Sequence, residues 1–116
     1  MKLKQLYPAK LQQAIEALLN RPAVTEPELR RATAAFGQAF AQPDAANLAV
    51  EAEMMAYLKK VTQHAYKITD EEVARLKALG YSEDALYELT LCAALGAGLG
   101  RLERGLHALK GEDVCA

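Results

Sequence analysis

Apolar residues recur along this chain at spacings of three and four, the period of helices packed on one side. Pro8 opens a first short helix with Leu11, Ile15, Leu18 and Leu19 as its apolar positions, and Asn20-Arg-Pro22 closes it. Thr25-Glu-Pro-Glu28 has the form of a capping box with Pro27 in the first turn, and predicts a second helix carrying Leu29, Thr33, Phe36 and Phe40 on one side. Gln42-Pro-Asp44 separates it from a third helix running to about Tyr66. There the inward stripe reads Leu48, Met55, Leu58, Val61 and Ala65, flanked by Val50 and Met54, while Glu53, Lys59, Lys60 and Gln63 point elsewhere. Thr69-Asp-Glu-Glu72 is a second capping box, starting a short helix with Val73, Leu76 and Leu79 inside and Gly80 as its left-handed stop.

Ser82 then caps a long final helix, with Glu83 and Asp84 at its positive end. This element is apolar on two sides. Leu91, Leu95, Leu99, Leu102, Leu106 and Leu109 form one stripe, and Ala93, Gly96, Ala97 and Gly100 lie opposite. Gly96, Gly98 and Gly100 each cost about 1 kcal/mol relative to Ala inside a helix, so roughly 3 kcal/mol must be recovered through contacts that a side chain would prevent. A break near Gly98 is the alternative. The expectation is that the leucines fill the interior and that the small-residue side is hidden, either at the centre of the domain or against another subunit.

Beta-branched residues are sparse, Ala and Leu abundant, and all four prolines fall at or before residue 43. The fold class is therefore all-α: a single-domain multi-helix bundle over 1–116, with about five helices and a long Ala/Gly-rich C-terminal helix. The net charge of −1 and the dispersed pairs Arg30-Arg31, Lys59-Lys60 and Arg101/Arg104 give no electrostatic footprint for nucleic acid or an anionic membrane, and read as solvated helix faces. The uncharged run from Leu89 to Gly100 is 12 residues, too short to cross a bilayer. Met1-Lys-Leu-Lys-Gln-Leu-Tyr7 lacks a signal-peptide apolar core, and the two cysteines, Cys92 and Cys115, do not form the paired pattern of a secreted domain. A cytoplasmic protein without a disulfide is expected.

The segment 64–110, with Tyr66-Lys-Ile-Thr-Asp-Glu-Glu-Val73 followed by Leu76-Lys-Ala-Leu-Gly-Tyr-Ser-Glu-Asp-Ala-Leu-Tyr-Glu-Leu-Thr-Leu-Cys-Ala-Ala-Leu-Gly96, resembles the alkylhydroperoxidase D-like and carboxymuconolactone decarboxylase superfamily. The resemblance implies an all-helical subunit that assembles into homo-oligomers, often trimers or hexamers. Redox members of that family carry a cysteine-x-x-cysteine with a histidine one turn later, where a helix N-terminus lowers a thiol pKa. Those positions fall here on Tyr66, Thr69 and Val73, so the dithiol and the histidine are both missing. The family's proton-relay glutamate lands on Met54, with Glu51 one turn earlier.

Two carboxylates are the candidate catalytic residues. Glu51 lies close to the inward stripe of the third helix, where desolvation would raise its pKa unless it is paired, and a raised pKa suits a general acid. Its alternative is an open helix end or a basic partner. Glu88 precedes Leu91 and Leu95 on the long helix, and its alternative is a partly exposed carboxylate or a buried partner for Arg101 or Arg104 of a neighbouring subunit. His64 reads as solvated, and His107 follows Glu103 at i+4 as a surface pair. Isolated histidines make no metal site, and no cofactor is implied. Tyr57, Tyr66, Tyr81 and Tyr87 read as core-edge residues whose hydroxyls reach polar partners.

Three functions follow from the residues and the resemblance together. The first is a non-redox binding or scaffold protein that forms a homo-oligomer and has kept the fold without its dithiol. The second is an enzyme using carboxylates on a small acidic metabolite, in lactone, decarboxylation or proton-transfer chemistry. A thiol-dependent hydroperoxide reductase is disfavoured, because one chain without paired thiols has no two-electron cycle.

Overall fold

In the computed structural model, residues 8–40 and 48–110 are described, and they form an all-helical bundle without a strand among them. The order is α1 (Ala9–Asn20), α2 (Pro27–Gln38), α3 (Ala52–Gln63), a single 3₁₀ turn (Ala65–Lys67), α4 (Asp70–Ala78) and α5 (Glu83–Leu109). The Gln42-Pro-Asp44 break and Cys115 lie outside the described residues.

Local chemistry sets most of the boundaries. The Thr69 hydroxyl accepts from the Glu72 amide at 3.2 Å and the Glu72 carboxylate accepts from the Thr69 amide at 3.1 Å, closing the capping box that starts α4. Gly80 ends that segment at φ 109°, a conformation that glycine adopts without strain. Ser82 Oγ accepts from the Ala85 amide at 3.1 Å and starts α5. The other anticipated box does not form. Glu26, not Thr25, is the N-cap residue of α2, and it makes no side-chain cap. The Thr25 hydroxyl is drawn instead to Glu88 on α5.

The core gathers Phe36, Leu48, Met54, Tyr57, Leu58, Leu76, Leu86, Leu89 and Ala93. On α3 the inward face is Met54, Tyr57, Leu58 and Thr62, turned by part of a turn from the expected stripe; Met55 and Val61 pack at its edge and Ala65 is exposed. On α4, Leu76 is buried and Val73 packs beside it, but Leu79 faces outward.

The pair α2/α5 organises the bundle, and here the expectation about α5 holds for its small-residue side and is reversed for its leucines. The helix is continuous through Gly98, and its small-residue side faces inward: Cys92, Ala93, Gly96, Ala97 and Gly100 are buried. What covers that side is α2 of the same chain. A Cβ on Gly96 would collide with the Ala34 carbonyl, one on Gly37 with the Ala93 carbonyl, and one on Gly100 would lie 2.5 Å from the Gln38 carbonyl oxygen. Three glycines on two helices therefore bring backbone against backbone, where a side chain would hold the helices apart. The leucine side is left open. Leu91, Leu102 and Leu109 are exposed, and Leu95, Leu99 and Leu106 only half-buried.

Arginines hold the ends of α1 and α2. Arg30, 2% exposed, donates to the carbonyls of Leu18 and Arg21 and so satisfies the C-terminus of α1, while Arg31 reaches Asn20 Oδ1 at 2.6 Å. The reading of Arg30 as a solvated residue is corrected by its place on α2. It lies three, four and seven positions before Thr33, Ala34 and Gly37, on the buried face. Past α2, Phe40 takes φ 56° and its ring lies under Arg104 at 4.2 Å and Arg101 at 5.5 Å.

Candidate functional site

Glu88 sits one turn into the inward half of α5 and accepts three hydrogen bonds from the α1–α2 connection. They come from the Val24 amide at 3.1 Å, the Thr25 amide at 2.9 Å and the Thr25 hydroxyl at 2.6 Å. Partial burial pushes its pKa up, but these hydrogen bonds and the Arg30 guanidinium outweigh that, and the carboxyl lies below the usual range. The side chain is thus an ionised anchor for the loop that leads into α2.

Glu51 is exposed at the N-cap position of α3 and receives a hydrogen bond from the Tyr81 hydroxyl. That bond holds its pKa below the ordinary carboxylate value, opposite to the rise expected for a carboxylate on an apolar face. Burial, with the Glu51 charge adding to it, pushes the Tyr81 phenol up to about 12. Glu51 and Glu88 share no hydrogen-bond partner: one joins α3 to the α4–α5 turn, the other joins α5 to the α1–α2 loop.

The remaining positions from the sequence scatter. Tyr66 is 81% exposed on the 3₁₀ turn, Thr69 is consumed by the α4 cap, Val73 is half-buried, and Met54 is fully enclosed in the core. Cys92 has no exposed surface, and burial pushes its thiol up to about 11, with Arg30 pulling down and Glu88 pushing up by lesser amounts. Such a thiol is protonated at neutral pH and closed to a bulky electrophile. His64 is exposed, edge-on to Tyr66 at 6.0 Å. Tyr57 meets Thr90 Oγ1 at 2.7 Å inside the bundle, whereas Tyr66 and Tyr87 face solvent. Arg101 and Arg104, considered as partners for Glu88 of a neighbouring subunit, stack on Phe40 within the chain; Arg101 also donates to the Thr62 carbonyl at 2.9 Å.

The outer face of α5 carries exposed apolar side chains along several turns. Leu95, Leu102 and Leu109 form one ladder at seven-residue spacing, and Leu91, Gly98 and Gly105 form a second ladder beside it. A Cβ at Gly98 or Gly105 would meet nothing within 4 Å. Among the described residues, these two glycines therefore cost helix stability without any return, unlike Gly96 and Gly100. Among the described residues, no helix is long and apolar enough to cross a membrane.

Comparisons of the chain with protein-family models, with curated proteins and with solved structures gave no match.

Proposed function

We propose that this chain is a non-redox helical scaffold of the alkylhydroperoxidase D-like type, which associates with a second copy of itself through the outer face of α5. The observation that carries this reading is the pairing of exposed leucines with glycines that the fold does not require. In an antiparallel pair about a two-fold axis near residue 100, Leu102 falls over Gly98 of the second copy and Leu95 over its Gly105, while Leu109 meets its Leu91. Large side chains then enter notches on the facing helix, which is how antiparallel helices interdigitate.

The strip from Leu91 to Leu109 is about 27 Å long, and at a helix width of about 11 Å it offers about 300 Å² from each copy. The roughly 600 Å² buried in total lies below the about 1,000 Å² of a specific interface, so the strip alone gives only transient pairing and neighbouring surfaces must join it for a stable one. Larger rings, as the family resemblance implies, would add further contacts. The dithiol positions hold Tyr66 and Thr69, and Cys92 is enclosed, which argues against peroxide chemistry. Both candidate carboxylates are held ionised by their partners, which suits anchoring better than proton donation. Sedimentation equilibrium of the whole chain and of Leu102→Glu tests the reading. A concentration-dependent rise in mass that the substitution abolishes supports it, and identical mass curves for the two proteins would remove it.

A further inference from the structure

Lys59, Lys60, Gln63, His64 and Lys67, with Ala56, line a surface recess of about 440 Å³. Its construction is local. On α3, residues 56, 59, 60 and 63 share one outward face at helical spacing, and the break at His64 with the following 3₁₀ turn brings Lys67 back to the same place. The lining contains three ammonium groups, an imidazole and an amide, and no carboxylate.

Several of these groups are held in place. Lys60 Nζ is paired with Glu72 at 2.7 Å, Lys67 Nζ lies 5.9 Å from the centre of the Tyr66 ring, and Gln63 is tied through its Nε2 to the Phe40 carbonyl at 2.8 Å. Glu72 offsets the Lys60 charge, and Lys59 and Lys67 remain, so positive side chains outnumber the partial negative charge of the α3 C-terminus. The C-terminal carbonyls of α3 favour a cation nearby, and this accounts for Lys60 or His64. It accounts neither for Lys59 and Lys67 nor for their gathering around a concavity.

We propose that this recess is a binding site for a soluble phosphate monoester or for phosphate itself. Such a group carries between one and two negative charges at neutral pH and several acceptor oxygens, which lysine ammonium groups can meet without a fixed fork geometry. The site lies entirely outside α5, so it is independent of the proposed pairing.

The test is an amide-resolved NMR titration of the full chain with inorganic phosphate and with glycerol phosphate, against sodium chloride at matched ionic strength. Saturable shifts centred on residues 59–67 with either phosphate, absent with chloride, are the expected result. Lys59→Gln and Lys67→Gln should each weaken binding about threefold, the double variant should lose saturation, and Lys10→Gln on α1 should bind as the parent does. These are surface changes, and an unchanged melting curve for each variant separates lost binding from lost folding. Binding that persists in Leu102→Glu shows the site to be independent of self-association. Equal shifts in the parent and the double variant would overturn the proposal, as would linear shifts without saturation. Binding to phosphatidate vesicles with no response to either soluble phosphate would also overturn it.

Discussion

Replacing Gly96 and Gly98 separately by Ala places the same methyl group two residues apart on α5 and should give effects of opposite sign. At Gly96 the new Cβ would lie 2.8 Å from the Ala34 carbonyl carbon and 2.9 Å from the Gln38 amide nitrogen. Carbon atoms pack at about 3.5 Å or more, and the Ala34 carbonyl oxygen stands closer still, so the helices must separate locally by at least about 0.7 Å, a gap that forfeits a third or more of the dispersion energy across it. A buried side chain makes about 40–60 contacts of about 0.1–0.2 kcal/mol each, so such a loss over one side chain's worth of contacts costs about 2–3 kcal/mol. Alanine returns about 1 kcal/mol of helix propensity. Gly96→Ala is therefore expected to destabilise by at least about 1–2 kcal/mol, while Gly98→Ala, with nothing to strike among the described residues, should stabilise by about 1 kcal/mol. At about 4 °C per kcal/mol the two variants should melt at least about 8 °C apart. Thermal unfolding followed by circular dichroism, at concentrations where the chain is monomeric, measures this. A Gly96→Ala variant as stable as Gly98→Ala would refute the close approach of α2 and α5.

Glu88 should make an acid-sensitive contribution. Its folded pKa is depressed below the ordinary 4.5, so its stabilisation is present in full above that value and is lost as the pH falls through the folded pKa. Glu88→Gln should cost about 1 kcal/mol at neutral pH, allowing for partial exposure to solvent, and the difference from the parent should shrink below pH 4.5 in urea titrations; a gap independent of pH would count against the anchor. Cys92 should resist a water-soluble thiol reagent in the native protein at pH 7 and react on unfolding, because its thiol is enclosed and pushed up to about 11. Rapid native labelling of a Cys115→Ser variant would contradict that.

The helix boundaries were legible where the signal was local. Thr69, Gly80 and Ser82 act within a few residues of themselves, and nothing distant competes for them. Thr25 has the same local signature and fails, because Glu88, 63 positions away, takes its hydroxyl and amide together. The inward side of α5 could not be read from its own pattern, since both sides are apolar. Hydrophobicity favours the leucines as core, yet close packing favours the glycines once α2 presents Gly37 opposite them. An unexplained glycine inside α2 was the available clue. Arg30 was likewise legible only through its spacing from Thr33 and Gly37, because charge alone places an arginine outside. For the candidate carboxylates, sequence position gave the neighbourhood but not the partners. Tyr81 meets Glu51 and Thr25 meets Glu88 across 30 and 63 positions, and those partners set the direction of each pKa.

Cysteine cross-linking tests most directly whether α5, which packs one face within the chain, uses the other between chains. In the proposed antiparallel pairing, exposed Ala94 would lie beside Ala108 of the second copy, while like positions would be separated by about 18 Å at 94 and about 24 Å at 108. In a Cys115→Ser background, mixing Ala94→Cys with Ala108→Cys under mild oxidation should give a disulfide-linked heterodimer, and each variant alone should remain uncrosslinked. Failure of the mixture to cross-link, or equal cross-linking of either variant with itself, would contradict it.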